Sequence, residues 1–256
     1  MKTGQVVGLN LSYSCLQGPL RSNSNLFKLH RLQQINLAFN NFSFCHIPSE
    51  FGRLSRLTHL VLSYSMFSGK IPSEISYLTN LVYLDLSSFM NYFCTSFLYL
   101  KRVDFTRFTQ NMTYLRGLSL NQVNLSSSIP TSLTNLSSLK FLSFSGCGVY
   151  GKFPEKIFQL PLLELIYVYS NHLLTGFLPR FQNSSSLIYL HLGMTNFTGT
   201  LPNSIGYLKS LRYLSIRRCN FVGPLPSSIW NLSNLDFLDL SSNYFNSHEL
   251  PSIYIG

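Results

Sequence analysis

The stretch LKSLRYLSIRRCNFVGPLPSSIWNL, residues 208–232, places its apolar side chains at Leu211, Leu214, Ile216, Cys219 and Phe221, then at Leu225, Ile229 and Leu232. Neither a 3.6-residue nor a 2-residue period generates that spacing over its whole length. Around Leu214 and Ile216 the alternation is that of a short strand, with these two turned inward and Tyr213, Ser215 and Arg217 turned outward. The segment Phe221 to Pro226 then reverses the chain and brings it back. A unit this small buries too little to offset the entropy of ordering it, so it needs like units stacked on both faces.

Such units recur along the chain. With Leu214 as the marker position, the series runs Leu9, Ile35, Leu60, Leu84, Leu118, Leu142, Ile166, Leu190, Leu214 and Leu238. Successive differences are 26, 25, 24, 34, 24, 24, 24, 24 and 24 residues. A period of 24 held over five consecutive steps defines an α/β-type solenoid, a leucine-rich repeat horseshoe or superhelix of ten coils. Residues 1–256 form one such domain, with a parallel β-sheet on its concave face.

Coil after coil carries Gly, one residue, an apolar residue and Pro in the return segment. The instances are Gly69 to Pro72, Gly151 to Pro154, Gly176 to Pro179, Gly199 to Pro202 and Gly223 to Pro226. Gly permits a turn that other residues resist, and Pro fixes the backbone where a donor is dispensable. This element resembles that of the plant extracellular leucine-rich repeats. Segments such as GQVVGLNLS from Gly4, IPSEISYLTNLVYLDLS from Ile71 and SGCGVYGKFPEKIFQLP from Ser145 resemble the plant receptor-like proteins of the disease-resistance kind.

That resemblance implies an ectodomain lying outside the plasma membrane, in a single-pass parent with a secretory leader, a cysteine-paired cap, further repeats and a membrane span. The expectation is that these 256 residues are a fragment of such a parent, since GQVVG follows Met1 to Thr3 directly and no run approaches a membrane helix in length. Uncapped end coils would present leucine faces to water, so the isolated chain is expected to fray or dissolve poorly. A single cooperative monomeric unfolding transition would contradict that expectation.

The 34-residue step marks one insertion, placed at 89–114, with about ten extra residues beyond the 24-residue repeat. It is rich in aromatics (Phe89, Tyr92, Phe93, Phe97, Tyr99, Phe105, Phe108) and carries Lys101, Arg102 and Arg107. It reads as an enlarged convex loop packed on its own aromatic rings.

Lys plus Arg exceed Asp plus Glu by 19 to 9, giving a formal net charge of +10, while charged residues make up only 11%. An acidic wall polymer suits this balance better than nucleic acid, because the basic residues are not gathered into a stripe with stacking aromatics. Of the five cysteines, Cys147 and Cys219 occupy the position that is Asn in Asn40, Asn171 and Asn243. There a small polar group is expected to hydrogen-bond the neighbouring coil. The spacing leaves open whether Cys15, Cys45 or Cys94 pairs, and no Cys/His grouping suggests a metal. Eight N-x-[ST] sequons occur. Asn41, Asn111, Asn124, Asn135, Asn183, Asn196 and Asn231 fall off the strand face, where glycans are tolerated, and Asn10 falls on it.

Nothing resembles a catalytic or cofactor-binding motif. Asp85 and Asp239 share an outward column but lie six coils apart, about 29 Å at strand spacing, too far for a carboxylate pair. Recognition is what remains. Outward positions of successive strands form a ladder free of packing duty, and its densest patch is Tyr167, Tyr169, Tyr189, His191, Tyr213 and Arg217, with Arg218 beside it. Exposed Tyr and Arg are residue types that dominate recognition energy; the rival reading is that the rings simply stack on one another. The ligand would be a peptide, protein or glycan, and His191 a neutral polar neighbour. The resemblance implies a partner receptor kinase, since the family lacks its own. The alternative is a secreted inhibitor of a wall-degrading enzyme, similar to the polygalacturonase-inhibiting proteins.

Overall fold

Each marker leucine or isoleucine sits at the centre of a three-residue strand, and ten such strands hydrogen-bond in parallel into one sheet. The computed structural model describes residues 5–89 and 98–246. Among these the sheet runs Gly8–Asn10, Gln34–Asn36, His59–Val61, Tyr83–Asp85, Gly117–Ser119, Phe141–Ser143, Leu165–Tyr167, Tyr189–His191, Tyr213–Ser215 and Phe237–Asp239, in chain order. Register follows the marker throughout: Leu9 pairs with Ile35, Ile35 with Leu60, and so on to Leu214 with Leu238. Leu60, Leu84, Leu142, Ile166, Leu190 and Leu214 are fully shielded and form the inner spine.

The return side is built differently. Five short strands, Tyr150–Lys152, Asn171–Gly176, Thr195–Gly199, Asn220–Gly223 and Tyr244–Phe245, form a second sheet at the C-terminal end. Next come single turns of 3-10 helix, at Ser49–Arg53, Ser73–Tyr77, Thr131–Asn135, Glu155–Gln159, Asn203–Tyr207 and Ser227–Asn231. Each of these six turns is preceded directly by a proline: Pro48, Pro72, Pro130, Pro154, Pro202 and Pro226. Pro supplies the φ that the entry to a turn requires and removes a donor that would have no partner there. Gly69, Gly151, Gly199 and Gly223 adopt positive φ as their motif demands. Gly176 does not, and is needed for another reason: a Cβ there would lie 2.6 Å from the Phe197 ring.

A feature absent from the sequence reading follows nine of the ten strands. Tyr13, Phe39, Tyr64, Gln122, Gly146, Ser170, Met194, Arg218 and Ser242 share one repeat position and all adopt φ between 51° and 62°. Left-handed backbone is unfavourable for residues with a Cβ. In seven of these coils it aims a small polar residue at the next position to bond the bends. Asn171 accepts from the Cys147 and Val149 amides and donates to the Phe144, Val168 and Tyr169 carbonyls. Asn40 and Asn243 make corresponding contacts. The thiol of Cys147 donates to the Leu120 carbonyl and that of Cys219 to Leu192, and Thr195 donates to Leu192 as well.

The insertion departs from the expected self-packed loop. Leu98–Tyr99 pairs with Gly69–Lys70, restoring register, and Arg102–Asn111 is an α-helix of ten residues where the equivalent turn at Ser73–Tyr77 has five. Phe105 and Phe108 are buried in the common core rather than against their own loop, with Phe105 edge-on to Phe144 at 5.5 Å. The reason is spacing: residues three apart share a helix face, so both rings point inward with Met112. Asp104 is buried beside them and faces Lys70 Nζ at 3.1 Å and Arg107 Nη1 at 3.8 Å. The expectations for Tyr92, Phe93, Cys94 and Phe97 lie outside the described residues.

Replacing Asn171 by Ala strands two buried amide donors and should cost roughly 2 to 5 kcal/mol. Asn243→Ala, at a half-exposed position where water can substitute, should cost clearly less. Urea midpoints of the two variants check the order.

Candidate functional site

Because each strand has only three residues, the residues flanking its inward marker both project from the outward face. Parallel in-register pairing then brings residues 24 apart in sequence directly beside each other. Tyr189 pairs with Tyr213, and Tyr213 with Phe237. Their rings stack face to face, with centroids 4.2 Å and 4.6 Å apart and planes within 10°. One column of the predicted patch therefore does stack on itself.

The other columns converge on His191. Tyr169, Tyr167, Tyr213 and Tyr189 hold their ring centroids 4.8, 5.1, 5.5 and 6.3 Å from the imidazole. Gly193 makes room for it, since a Cβ there would lie 3.0 Å from His191 Nε2 and 3.1 Å from the Arg217 carbonyl. His191 Nδ1 is buried and has no hydrogen-bond partner among the described residues. Desolvation by the surrounding rings lowers the imidazole to about 4, and the more distant Asp239 only partly opposes this. His191 is thus neutral above about pH 5.

Arg217 and Arg218 are exposed at the margin of the cluster, Arg218 at a left-handed turn position. Asp239, which was not counted with the patch, belongs to its electrostatics. Burial alone would raise its carboxyl, but hydrogen bonds from the Ser241 amide and hydroxyl and the charges of Arg217 and His191 hold it below its ordinary value. Burial raises the Tyr189 phenol, as does Tyr213 beside it.

The sequence reading also missed a recess next to the cluster. It is lined by Tyr83, Phe141, Tyr167 and Tyr189, with Ser119 and Ser143. Gly117 lets the Tyr83 ring lie across its backbone, since a Cβ there would lie 2.3 Å from that ring.

Among the described residues no group of three or more His, Cys, Asp or Glu could hold a metal ion. Cys15, Cys45, Cys147 and Cys219 are free thiols, and burial pushes Cys147 up to about 12. The arrangement is a preformed aromatic surface with hydroxyls and two flanking arginines, suited to recognition.

This fold is the leucine-rich repeat solenoid, and the Leucine Rich Repeat model matches residues 56–78, 186–208 and 210–232. Within the class it is similar to the plant receptor-like proteins. It is 44% identical over 210 residues to Receptor-like protein 6 of Arabidopsis thaliana, covering 82% of this chain and 21% of that protein. The chain thus spans about a fifth of that relative's length. Among solved structures it matches the ectodomain of the Arabidopsis thaliana membrane receptor kinase GASSHO1/SCHENGEN3 in complex with CASPARIAN STRIP INTEGRITY FACTOR 2. The TM-score is 0.75 at 29% identity, over 92% of this chain and 27% of that one. The ectodomain of the Arabidopsis receptor kinase HAESA, in complex with an extended IDA peptide hormone, matches with a TM-score of 0.65 at 27% identity, over 93% and 46% of the two chains.

His191 makes a signed prediction. The unfolded chain takes up a proton near pH 6.5 and the folded chain near 4, so stability should be full above about 6.5 and decline as the pH falls toward 4. His191→Gln should flatten that part of the profile, read from urea midpoints across the pH range.

Proposed function

We infer that the chain is the ligand-reading part of a plant cell-surface receptor-like protein, exposed outside the plasma membrane. It acts without catalysis. A peptide, protein or glycan is held on the outward face of the ten-stranded sheet, and the occupied ectodomain engages a receptor kinase in defence signalling. The defence role and the kinase rest on the resemblance to the disease-resistance receptor-like proteins.

The observation that carries this reading is the convergence of Tyr167, Tyr169, Tyr189 and Tyr213 on His191 beside an open recess. Rings fixed by mutual stacking lose little freedom when a partner arrives, which lowers the entropic cost of binding. The flanking Arg217 and Asp239 supply opposite charges for orientation. Similar ectodomains solved with bound ligands add support. No helix among the described residues is long and apolar enough to cross a membrane.

The test is hydrogen exchange on the purified chain exposed to fractionated extracellular fluid of infected plants. Protection should appear at 165–167, 189–191 and 213–215, and a Tyr167→Ser, Tyr213→Ser double variant should lose it. Protection confined to other coils would refute the assignment. Stoichiometric inhibition of a polygalacturonase would instead favour the secreted-inhibitor reading.

We also expect glycans on Asn41, Asn124, Asn135, Asn183, Asn196 and Asn231, all of which are exposed. Asn111 is half-buried at the end of the helix and donates its amide to the Ser76 carbonyl, so it should be unoccupied. Mass spectrometry of tryptic glycopeptides from the chain secreted by plant cells checks each site.

A further inference from the structure

A second concavity lies along the edge of the main sheet, where the chain enters each strand. It is lined by Gln33, Arg56, Thr58, Asn80, Tyr114 and Arg116, with Val82 and Ser138 completing it. These are the residues two and four before the marker, over successive coils. From the coil of Ile35 to that of Leu142, those two columns read Arg31, Gln33, Arg56, Thr58, Asn80, Val82, Tyr114, Arg116, Ser138 and Lys140, with no carboxylate. Farther along, the same columns bring in Glu164 and Asp236, and each is answered: Lys140 Nζ meets Glu164 at 2.6 Å and Arg212 Nε meets Asp236 at 2.7 Å. Among the described residues Arg31, Arg56 and Arg116 take part in none of the ion pairs. The N-terminal half of this edge is thus a groove with uncompensated positive charge.

We propose that this groove binds an acidic polysaccharide, a chain of uronic acid sugars. Four features favour that occupant. Arg56 and Arg116 are exposed and planar, and a guanidinium fork matches a carboxylate in a bidentate manner. They stand two coils apart, about 10 Å along the stack, so a stiff chain carrying one carboxylate per sugar meets both. Between and beside them Gln33, Asn80 and Ser138 offer amides and a hydroxyl to sugar hydroxyls, with the Asn80 side chain held by its bond to the Ser55 carbonyl. Tyr114, 64% exposed, presents an aromatic ring to the C–H face of a pyranose. A nucleic acid would need denser phosphate neutralisation and several stacking rings, which a groove with one tyrosine lacks. The site is separate from the aromatic cluster and does not depend on what that cluster binds.

The test measures binding of the purified chain to immobilised, de-esterified polygalacturonate, with fully methyl-esterified polygalacturonate and a DNA duplex as comparators. The Arg56→Gln, Arg116→Gln double variant should weaken binding to the de-esterified polymer at least about tenfold, as expected for two lost charge-assisted contacts. Tyr114→Ser should weaken binding to that polymer further than to DNA. A control pair outside the groove, Lys28→Gln with Lys156→Gln, should stay within about twofold, since both are solvated surface charges. Circular dichroism confirms that the variants fold. Equal losses in the control pair, equal binding of the methyl-esterified polymer, or tighter arginine-dependent binding to DNA would each overturn the proposal.

Discussion

No coil of this molecule can satisfy its own bends. Where the chain leaves the strand it passes through a left-handed residue and exposes several backbone donors and acceptors at once, in a place that stacking will bury. A buried polar group without a partner costs more than a made hydrogen bond contributes. The chain answers with a small polar side chain at the following position: Asn40, Ser65, Cys147, Asn171, Thr195, Cys219 and Asn243. All but Thr195 reach back to the coil before as well as to their own, and Thr195 instead meets the Cys219 thiol of the coil after it. Together with the leucine spine this makes stability a matter of neighbours, so the outward face contributes little to holding the stack together.

That freedom explains how a fold without reactive groups acquires function. The outward columns near the C-terminal end are spent on aromatic rings that order one another, with a recess beside them. A different set of rings occupies the first coils, where Tyr13, Phe39 and Tyr64 stack at 4.2 and 5.0 Å from the left-handed turn position. The entry edge of the sheet carries the unpaired positive charge. Different columns thus hold different chemistries along the stack, because each repeat position is a column and a column can be varied without disturbing the core.

The fold was legible because its signal is redundant. Ten inward markers, a constant period and a recurring Gly-x-apolar-Pro element agree, and the observed register follows the markers from Leu9 to Leu238. The aromatic patch was legible because in-register pairing turns a 24-residue spacing into contact. Other features were hidden for physical reasons. A left-handed turn filled by Tyr, Phe, Gln, Met or Arg carries no glycine to announce it. The neutrality of His191 depends on rings from neighbouring coils. Inside the insertion, Phe105 and Phe108 have the spacing of a helix face, but the aromatic density of the whole segment suggested a loop folded on itself.

The helix at Arg102–Asn111 bears on the shape of the stack. Strands on the front of the molecule repeat at about 4.8 Å, whereas packed helices need about 8 to 10 Å between axes. A solenoid whose two sides differ in thickness must curve toward the thinner side. At one coil a full α-helix takes the place of the slim 3-10 turn, between Ser73–Tyr77 and Thr131–Asn135. The lengthened repeat thus falls within the basic edge, between the coil of Arg56 and that of Arg116.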